Sequence, residues 1–82
     1  MSVSRGCEII ELNPGKWYAV VANREYDYTF QHGHTVYGPA HSEEVAWTLM
    51  SSQEPNPGGG KTIPHEQMSD RERALIATGH KR

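Results

Sequence analysis

The sequence has little cysteine and no long apolar run. One cysteine, Cys7, stands among 82 residues, so no intramolecular disulfide can form and a disulfide-stapled secreted scaffold is excluded. No stretch approaches the roughly 20 apolar residues that a membrane-spanning helix needs. The first residues also lack the apolar core of a signal peptide. We therefore expect a cytoplasmic protein that has no membrane partner.

A strong charge of either sign is also missing. The formal net charge is −2, which is neither the basic balance of a typical nucleic-acid binder nor the acidity of a DNA mimic. Hydrophobic residues make up 35% of the chain, and a single domain of this length has a thin core. Two Trp, four Tyr and one Phe must therefore supply much of the buried area, which leaves little room for a deep substrate pocket.

Three early segments have strand patterns. Residues 7–12 (CEIIEL) form a short candidate that ends at the turn signal Pro14-Gly15. Residues 16–23 (KWYAVVAN) are apolar on both faces, as in a strand that is covered on both sides or that lies in a dimer interface. Residues 25–31 (EYDYTFQ) alternate most cleanly. Their three aromatic residues are expected to share one face of the sheet: Tyr26, Tyr28 and Phe30.

The triplet His32-Gly33-His34 interrupts the alternation. A glycine between two strand patterns favours a tight hairpin turn, because other residues are penalised at positive φ. Residues 34–37 then form the returning strand, which Gly38-Pro39 is expected to end. The predicted sheet is an antiparallel meander of three or four strands.

The same histidines raise the alternative of a metal site. On a strand, His32 and His34 would share a face and could chelate a transition metal, with His41 or Cys7 as a third ligand. The usual ligand spacings C-x2-C and H-x3-H are missing. We therefore favour the turn and predict neither a metal centre nor a cofactor.

One helix is signalled directly after the sheet. Ser42 is a good N-cap, and Glu43 and Glu44 place negative charge at the positive end of the helix dipole. A helix over residues 43–52 is expected to pack on the aromatic face of residues 25–31.

A second, shorter helix is signalled near the C-terminus. Residues 69–72 (SDRE) match the capping box S-x-x-E, and Gly79 fits the C′ position that ends a helix. A helix this short is marginal in isolation, so it either docks on the body or folds on a partner.

These elements predict an α+β fold in a single domain. Residues 1–52 form the antiparallel sheet of three to four strands with one helix packed on a face. Residues 53–68 contain too many Pro and Gly to hold a regular element and are predicted to be a linker. Residues 69–82 form the short C-terminal helix and a basic tail.

Signals for catalysis are weak. The run GGGKT at residues 58–62 ends like a P-loop, but the motif G-x-x-x-x-G-K-[ST] requires Gly where Pro55 stands, and Pro64 follows too soon for a helix. Cys7 has five histidines as partners for nucleophilic catalysis, but their spacing selects none of them. We predict that the protein is not an enzyme.

The runs GKWYAVV and TVYGPAHSEEVAW, between Gly15 and Trp47, resemble a pattern found in small proteins of phages and other mobile elements. There a strand ends in YGP, a Ser or Thr caps the next helix, and that helix opens with acidic residues and an aromatic. The resemblance implies an accessory protein or inhibitor that binds a host or defence protein, including the anti-restriction and anti-CRISPR types. It transfers no site residues.

We therefore predict a non-enzymatic protein-binding module. One helix can cover only one face of the doubly apolar strand, so the other face needs a partner, a second subunit in a homodimer, or the C-terminal helix. Contact residues are expected among the aromatics and arginines, which dominate interface hot spots: Trp17, Tyr18, Tyr37, Trp47, Arg71 and Arg73. Two alternatives stay open. They are a nucleic-acid-associated regulator that uses the sheet aromatics and basic tail, and a small metal-binding protein that uses His32 and His34.

Overall fold

A computed structural model describes residues 4–54 and 57–82. Within them a five-stranded sheet has the order β4-β1-β2-β3-β5. The strands are β1 (Cys7–Asn13), β2 (Lys16–Ala22), β3 (His34–Ala40), β4 (Lys61–Ile63) and β5 (His80–Lys81). The helices are α1 (Glu43–Gln53) and α2 (Asp70–Thr78), with a 3-10 turn at His65–Gln67 between β4 and α2. None of the helices in the described ranges is both long enough and apolar enough to cross a membrane.

The α+β class is confirmed, but the sheet is mixed. The strands β1, β2 and β3 form an antiparallel meander, but it lacks the strand over residues 25–31 that was predicted to lie between β2 and β3. The strands β4 and β5 pair in parallel with β1 and β3. The strand β4 lies within residues 53–68, which were predicted to be a linker. Strands of two or three residues carry too few positions to show a period, so the sequence pattern missed both edges of the sheet.

The prediction of a strand over residues 25–31 was wrong. These residues belong to a loop that joins β2 to β3, and Tyr26 and Phe30 have φ values of 62° and 59°. That left-handed conformation interrupts an extended strand. Gly33 does have a positive φ, of 92°, but it ends this long loop and does not form a tight hairpin turn. The strand β3 also continues past Gly38-Pro39.

Both faces of the sheet are covered, one by each helix. The cluster on the α1 side consists of Cys7, Ile9, Ala19, Val21, Tyr37, Ala40, Ala46 and Met50. The cluster on the α2 side consists of Ile10, Val20, Ala22, Phe30, Val36, Ile63 and Ile76. Alternate residues of β2 thus face opposite helices, as its doubly apolar pattern predicted. The helix α1 packs on the face opposite Phe30, contrary to expectation, and α2 docks on the body.

The predicted helix boundaries agree with the structure. The physical reason for glycine at position 79, after the end of α2, differs from the predicted one. Ser42 Oγ accepts a hydrogen bond from Val45 N at 3.2 Å, and Ser69 N donates to Glu72 Oε1 at 2.7 Å. Gly79 is the C-cap of α2, but its φ is −74°. A Cβ atom at this position would lie 2.5 Å from a Val36 methyl carbon, so close packing on the sheet requires glycine there.

Candidate partner-binding surface

The loop between β2 and β3, residues 23–33, is here named the tyrosine loop. Asp27 is buried inside it, and its carboxylate accepts hydrogen bonds from Gln31 N at 3.1 Å and His32 N at 2.8 Å. Burial by itself raises the pKa of Asp27, but the backbone N–H groups of His32, Gln31 and Thr29 outweigh it and hold this pKa below its ordinary value. An ionised side chain therefore organises the turns of the loop.

The N-terminal segment, residues 4–6, is hydrogen-bonded to the backbone of the tyrosine loop. Tyr26 N donates to Ser4 O at 2.8 Å, and Gly6 N donates to Asp27 O at 3.2 Å. A Cβ atom at Gly6 would lie 2.5 Å from Asp27 O and 2.8 Å from Tyr28 Cα. Both of these are backbone atoms, so only glycine permits the two segments to approach this closely.

Phe30 anchors the loop to the body on the α2 side. Its ring is buried and meets the His34 ring edge-on, with centroids 5.7 Å apart. His34 Nε2 lies 2.6 Å from Leu75 O, so His34 links Phe30 to α2. The guanidinium carbon of Arg71 lies 6.0 Å from the centre of the Phe30 ring, a cation–π distance.

Two tyrosines project from this fixed backbone. Tyr26 is 56% exposed and Tyr28 is 55% exposed, and Tyr28 Oη is hydrogen-bonded to Ser4 Oγ. Left-handed conformations at bulky residues such as Tyr26 cost on the order of 1–3 kcal/mol each, and they cluster at binding and switch sites where the surroundings hold them in place. The loop therefore presents exposed aromatic area on a preformed backbone.

The residues predicted to bind a partner are not brought together. Four aromatics pack against the two core clusters: Trp17, Tyr37 and Trp47 on the α1 side, and Tyr18 on the α2 side. Tyr37 is itself buried, at 4% exposure, and its hydroxyl donates to a carboxylate oxygen of Glu54. These side chains contribute mainly to the core rather than to one shared surface.

The two predicted arginines differ from each other. Arg71 donates to both carboxylate oxygens of Glu8, at 3.1 and 2.9 Å, and to Glu72 at 2.9 Å. These hydrogen bonds outweigh burial and raise the pKa of Arg71 above its ordinary value. Arg73 pairs with Asp70 at 3.2 Å at an exposed position. Arg71 therefore ties α2 to β1, whereas Arg73 remains available to solvent.

The candidate metal ligands are also dispersed. His32 and His41 are exposed, and His34 is buried with its Nε2 at Leu75 O. Burial raises the pKa of the Cys7 thiol to about 12. Across residues 4–54 and 57–82, no group of three or more His, Cys, Asp or Glu side chains could hold a metal ion.

Two further alternatives are the P-loop and the aromatic stacking platform, and the described residues do not adopt the geometry that either one requires. Lys61 and Thr62 lie in β4, and Thr62 Oγ1 donates to Glu43, so the end of GGGKT forms an edge strand. Pro55, which decided against the P-loop, lies outside the described residues. A stacking platform on the sheet does not form from residues 25–31, because they are not a strand.

The sequence did contain a signal for the tyrosine loop. Asp27 lies between the two tyrosines, and Asp is depleted in strands because its carboxylate competes for nearby backbone N–H groups. Giving that residue more weight than the alternation would have favoured a loop with Tyr26 and Tyr28 exposed.

Comparison with known protein families, curated proteins and solved structures finds no match to this chain.

Proposed function

We propose that this protein is a non-enzymatic protein-binding module that makes its main contact through the tyrosine loop. The observation that carries the proposal is a pair of tyrosines, Tyr26 and Tyr28, both more than half exposed on a loop fixed by Asp27. Tyrosine offers a large contact area for few rotatable bonds. A preformed loop also loses little conformational entropy on binding.

The partner is a host or defence protein, and the module acts as an accessory protein or inhibitor of the type carried by phages and mobile elements. This part of the proposal rests on the sequence resemblance between Gly15 and Trp47. The Cys7 thiol, with its pKa raised to about 12, does not supply a thiolate nucleophile at neutral pH, which favours binding over catalysis.

The test is affinity capture of the tagged chain from host lysate, with and without nuclease, followed by measurement of Kd with the purified partner. Three chains are compared: the native sequence, the double variant Tyr26→Ser/Tyr28→Ser, and Lys16→Gln, a change at an exposed residue of β2. We expect one protein to be captured by the native chain and by Lys16→Gln. The double variant should raise Kd at least about tenfold, because interface tyrosines are frequent hot spots.

Two results would contradict the proposal. Capture that disappears with nuclease would indicate nucleic-acid recognition by the same aromatic side chains. Equal affinity of the double variant and the native chain would place the contact elsewhere. Circular dichroism and thermal melting of each variant separate loss of binding from loss of fold. Addition of the purified module to an activity assay of the captured partner then tests inhibition.

A further inference from the structure

The tyrosine loop and α2 meet at the buried ring of Phe30. This residue is 8% exposed and belongs to the apolar cluster on the α2 side, together with Ile76 of α2. The guanidinium carbon of Arg71, also in α2, lies 6.0 Å from the centre of the ring. The two exposed tyrosines are therefore on the same loop as a residue that α2 helps to bury.

His34 connects the same ring to the last turns of α2. A carbonyl oxygen can only accept a hydrogen bond, so His34 Nε2 carries the proton that it donates to Leu75 O at 2.6 Å. The Nδ1 atom of His34 is buried and has no hydrogen-bond partner among the described residues. Within residues 4–54 and 57–82, the contact with α2 is therefore the only hydrogen bond of this buried ring.

The C-terminal end of α2 packs on β3 without spare room. A Cβ atom at Gly79 would lie 2.5 Å from a Val36 methyl carbon and 2.6 Å from His34 Cδ2. Contacts packed this closely have discrete arrangements and do not deform continuously. We therefore expect α2 to be either docked on the sheet or undocked from it.

Phe30 depends on the contacts of its side chain because its backbone is strained. Its φ is 59°, in the left-handed region that bulky residues rarely adopt. Such a conformation persists only where the surrounding structure holds it in place. The ring contacts with His34 and with α2 are part of what holds it, so the backbone at the end of the tyrosine loop is linked to the position of α2.

We propose that α2 is a clamp for the tyrosine loop: the loop keeps its binding conformation only while α2 is docked. Undocking removes Ile76 and Arg71 from the surroundings of Phe30 and removes the hydrogen-bond acceptor of His34. The loop then loses its preformed backbone and binds its partner more weakly, because it must be ordered again on binding. This inference rests on the proposed function of the tyrosine loop and adds how that site is regulated.

Native-state hydrogen exchange of the whole chain, followed by two-dimensional NMR, measures how often each segment opens. The reporters in the loop are three hydrogen-bonded backbone N–H groups, those of Tyr26, Gln31 and His32. The reporters in the helices are the N–H groups of residues 74–78 in α2 and 47–53 in α1. In the native chain we expect the loop and α2 reporters to have opening constants within about threefold of each other, as members of one cooperative unit do.

Two variants weaken one helix each. Gly79→Ala places a methyl group where α2 meets the sheet, and Ser42→Ala removes the cap hydrogen bond that α1 receives from Val45 N. We expect Gly79→Ala to speed exchange of the α2 and loop reporters by the same factor, at least about tenfold. Ser42→Ala should speed exchange in α1 alone. It is the matched control, because a loop that opens only by global unfolding would respond to both variants.

A second pair of variants applies if Gly79→Ala does not fold. Arg71→Met takes the guanidinium away from Phe30 and Glu8, whereas Arg73→Met changes an exposed pair on the same helix. Arg71→Met should speed exchange of the loop and α2 reporters together. Arg73→Met should leave the loop reporters within about twofold of their native rates.

The coupling must also act in the reverse direction, since linkage between two sites is reciprocal. Asp27→Asn weakens the loop from within and should speed exchange in α2 but not in α1. Three results would overturn the clamp: native loop exchange in Gly79→Ala, equal acceleration of the loop in Gly79→Ala and Ser42→Ala, or native α2 exchange in Asp27→Asn. These measurements need no partner. Failure of the clamp is therefore read from exchange, and failure of the proposed function from affinity capture.

Discussion

Gly6 lies where the N-terminal segment crosses the tyrosine loop, and the space beside it is too small for a methyl group. We expect Gly6→Ala to lower the free energy of unfolding by about 1–3 kcal/mol, because the added carbon would overlap backbone atoms that cannot move aside separately. Urea denaturation measures this change. Gly59→Ala is the matched control, since nothing lies within 4 Å of its added carbon. Equal stability of the two variants would show that the loop yields to the methyl group.

Asp27 makes the tyrosine loop sensitive to acid. Its folded-state pKa lies below the ordinary value of 3.8, so the ionised carboxylate contributes stability that is fully present above about pH 4–5. That contribution is lost as the pH falls through the lower, folded-state pKa. We expect the difference in melting temperature between the native chain and Asp27→Asn to shrink as the pH is lowered from 6 towards 3. A difference that stays constant over this range would contradict the assigned role.

The Cys7 thiol is expected to be unreactive towards thiol reagents in the folded protein. Its side chain is buried, with 6% of the residue exposed, and its thiol pKa of about 12 leaves almost no thiolate at pH 8. Ellman's reagent should therefore label the native chain far more slowly than glutathione. Labelling should become rapid in denaturing urea. Rapid labelling without denaturant would show that β1 opens readily.

At the scale of elements, α2 is held to β1 by the Arg71–Glu8 pair. We expect Arg71→Met to cost about 1–3 kcal/mol of unfolding free energy, because Glu8 would keep a buried charge without its cation. This is less than for a fully buried pair, since the Arg71 side chain is 49% exposed. Arg73→Met should cost less than about 0.5 kcal/mol, because its i,i+3 pair is exposed.

A double variant separates the pair from its surroundings. Glu8→Gln combined with Arg71→Met removes both charges, and we expect it to be more stable than Arg71→Met alone. Chemical denaturation of the two single variants and the double variant completes the thermodynamic cycle. Strictly additive effects would mean that the two side chains are not coupled.

At the scale of the whole molecule, α2 covers an apolar face that would otherwise be open. A chain that ends at residue 68 lacks Ile76 and uncovers the cluster around Val20 and Phe30. We expect this truncated chain to bind the dye ANS and to self-associate, because a large exposed apolar patch favours association. Light scattering and dye fluorescence, with the full chain as control, measure both effects. A monomeric, dye-free truncated chain with unchanged melting would contradict this view of α2.

Sequence reasoning succeeded where a local rule acts alone. The turn at Pro14-Gly15, the N-cap Ser42 and the short helix after Ser69 all depend on neighbours within four residues, and the structure has each of them. It failed for residues 25–31, because an alternating pattern also fits a loop in which Asp27 and Phe30 point inward. The favoured prediction therefore buried Tyr26 and Tyr28 under a helix, whereas the structure exposes both side chains.

The sequence by itself determined the α+β class, the positions of β1 and β2, the start of β3 and both helices, since these follow from local periodicity, caps and turns. Tertiary structure alone decided which face each helix covers, the two short parallel edges, and the bracing of the tyrosine loop by Ser4 and Gly6. The physical reason is that these contacts join residues that are far apart in the sequence. Pairing of β4 with β1, and of Glu8 with Arg71, joins residues more than fifty positions apart, and no local pattern records such contacts.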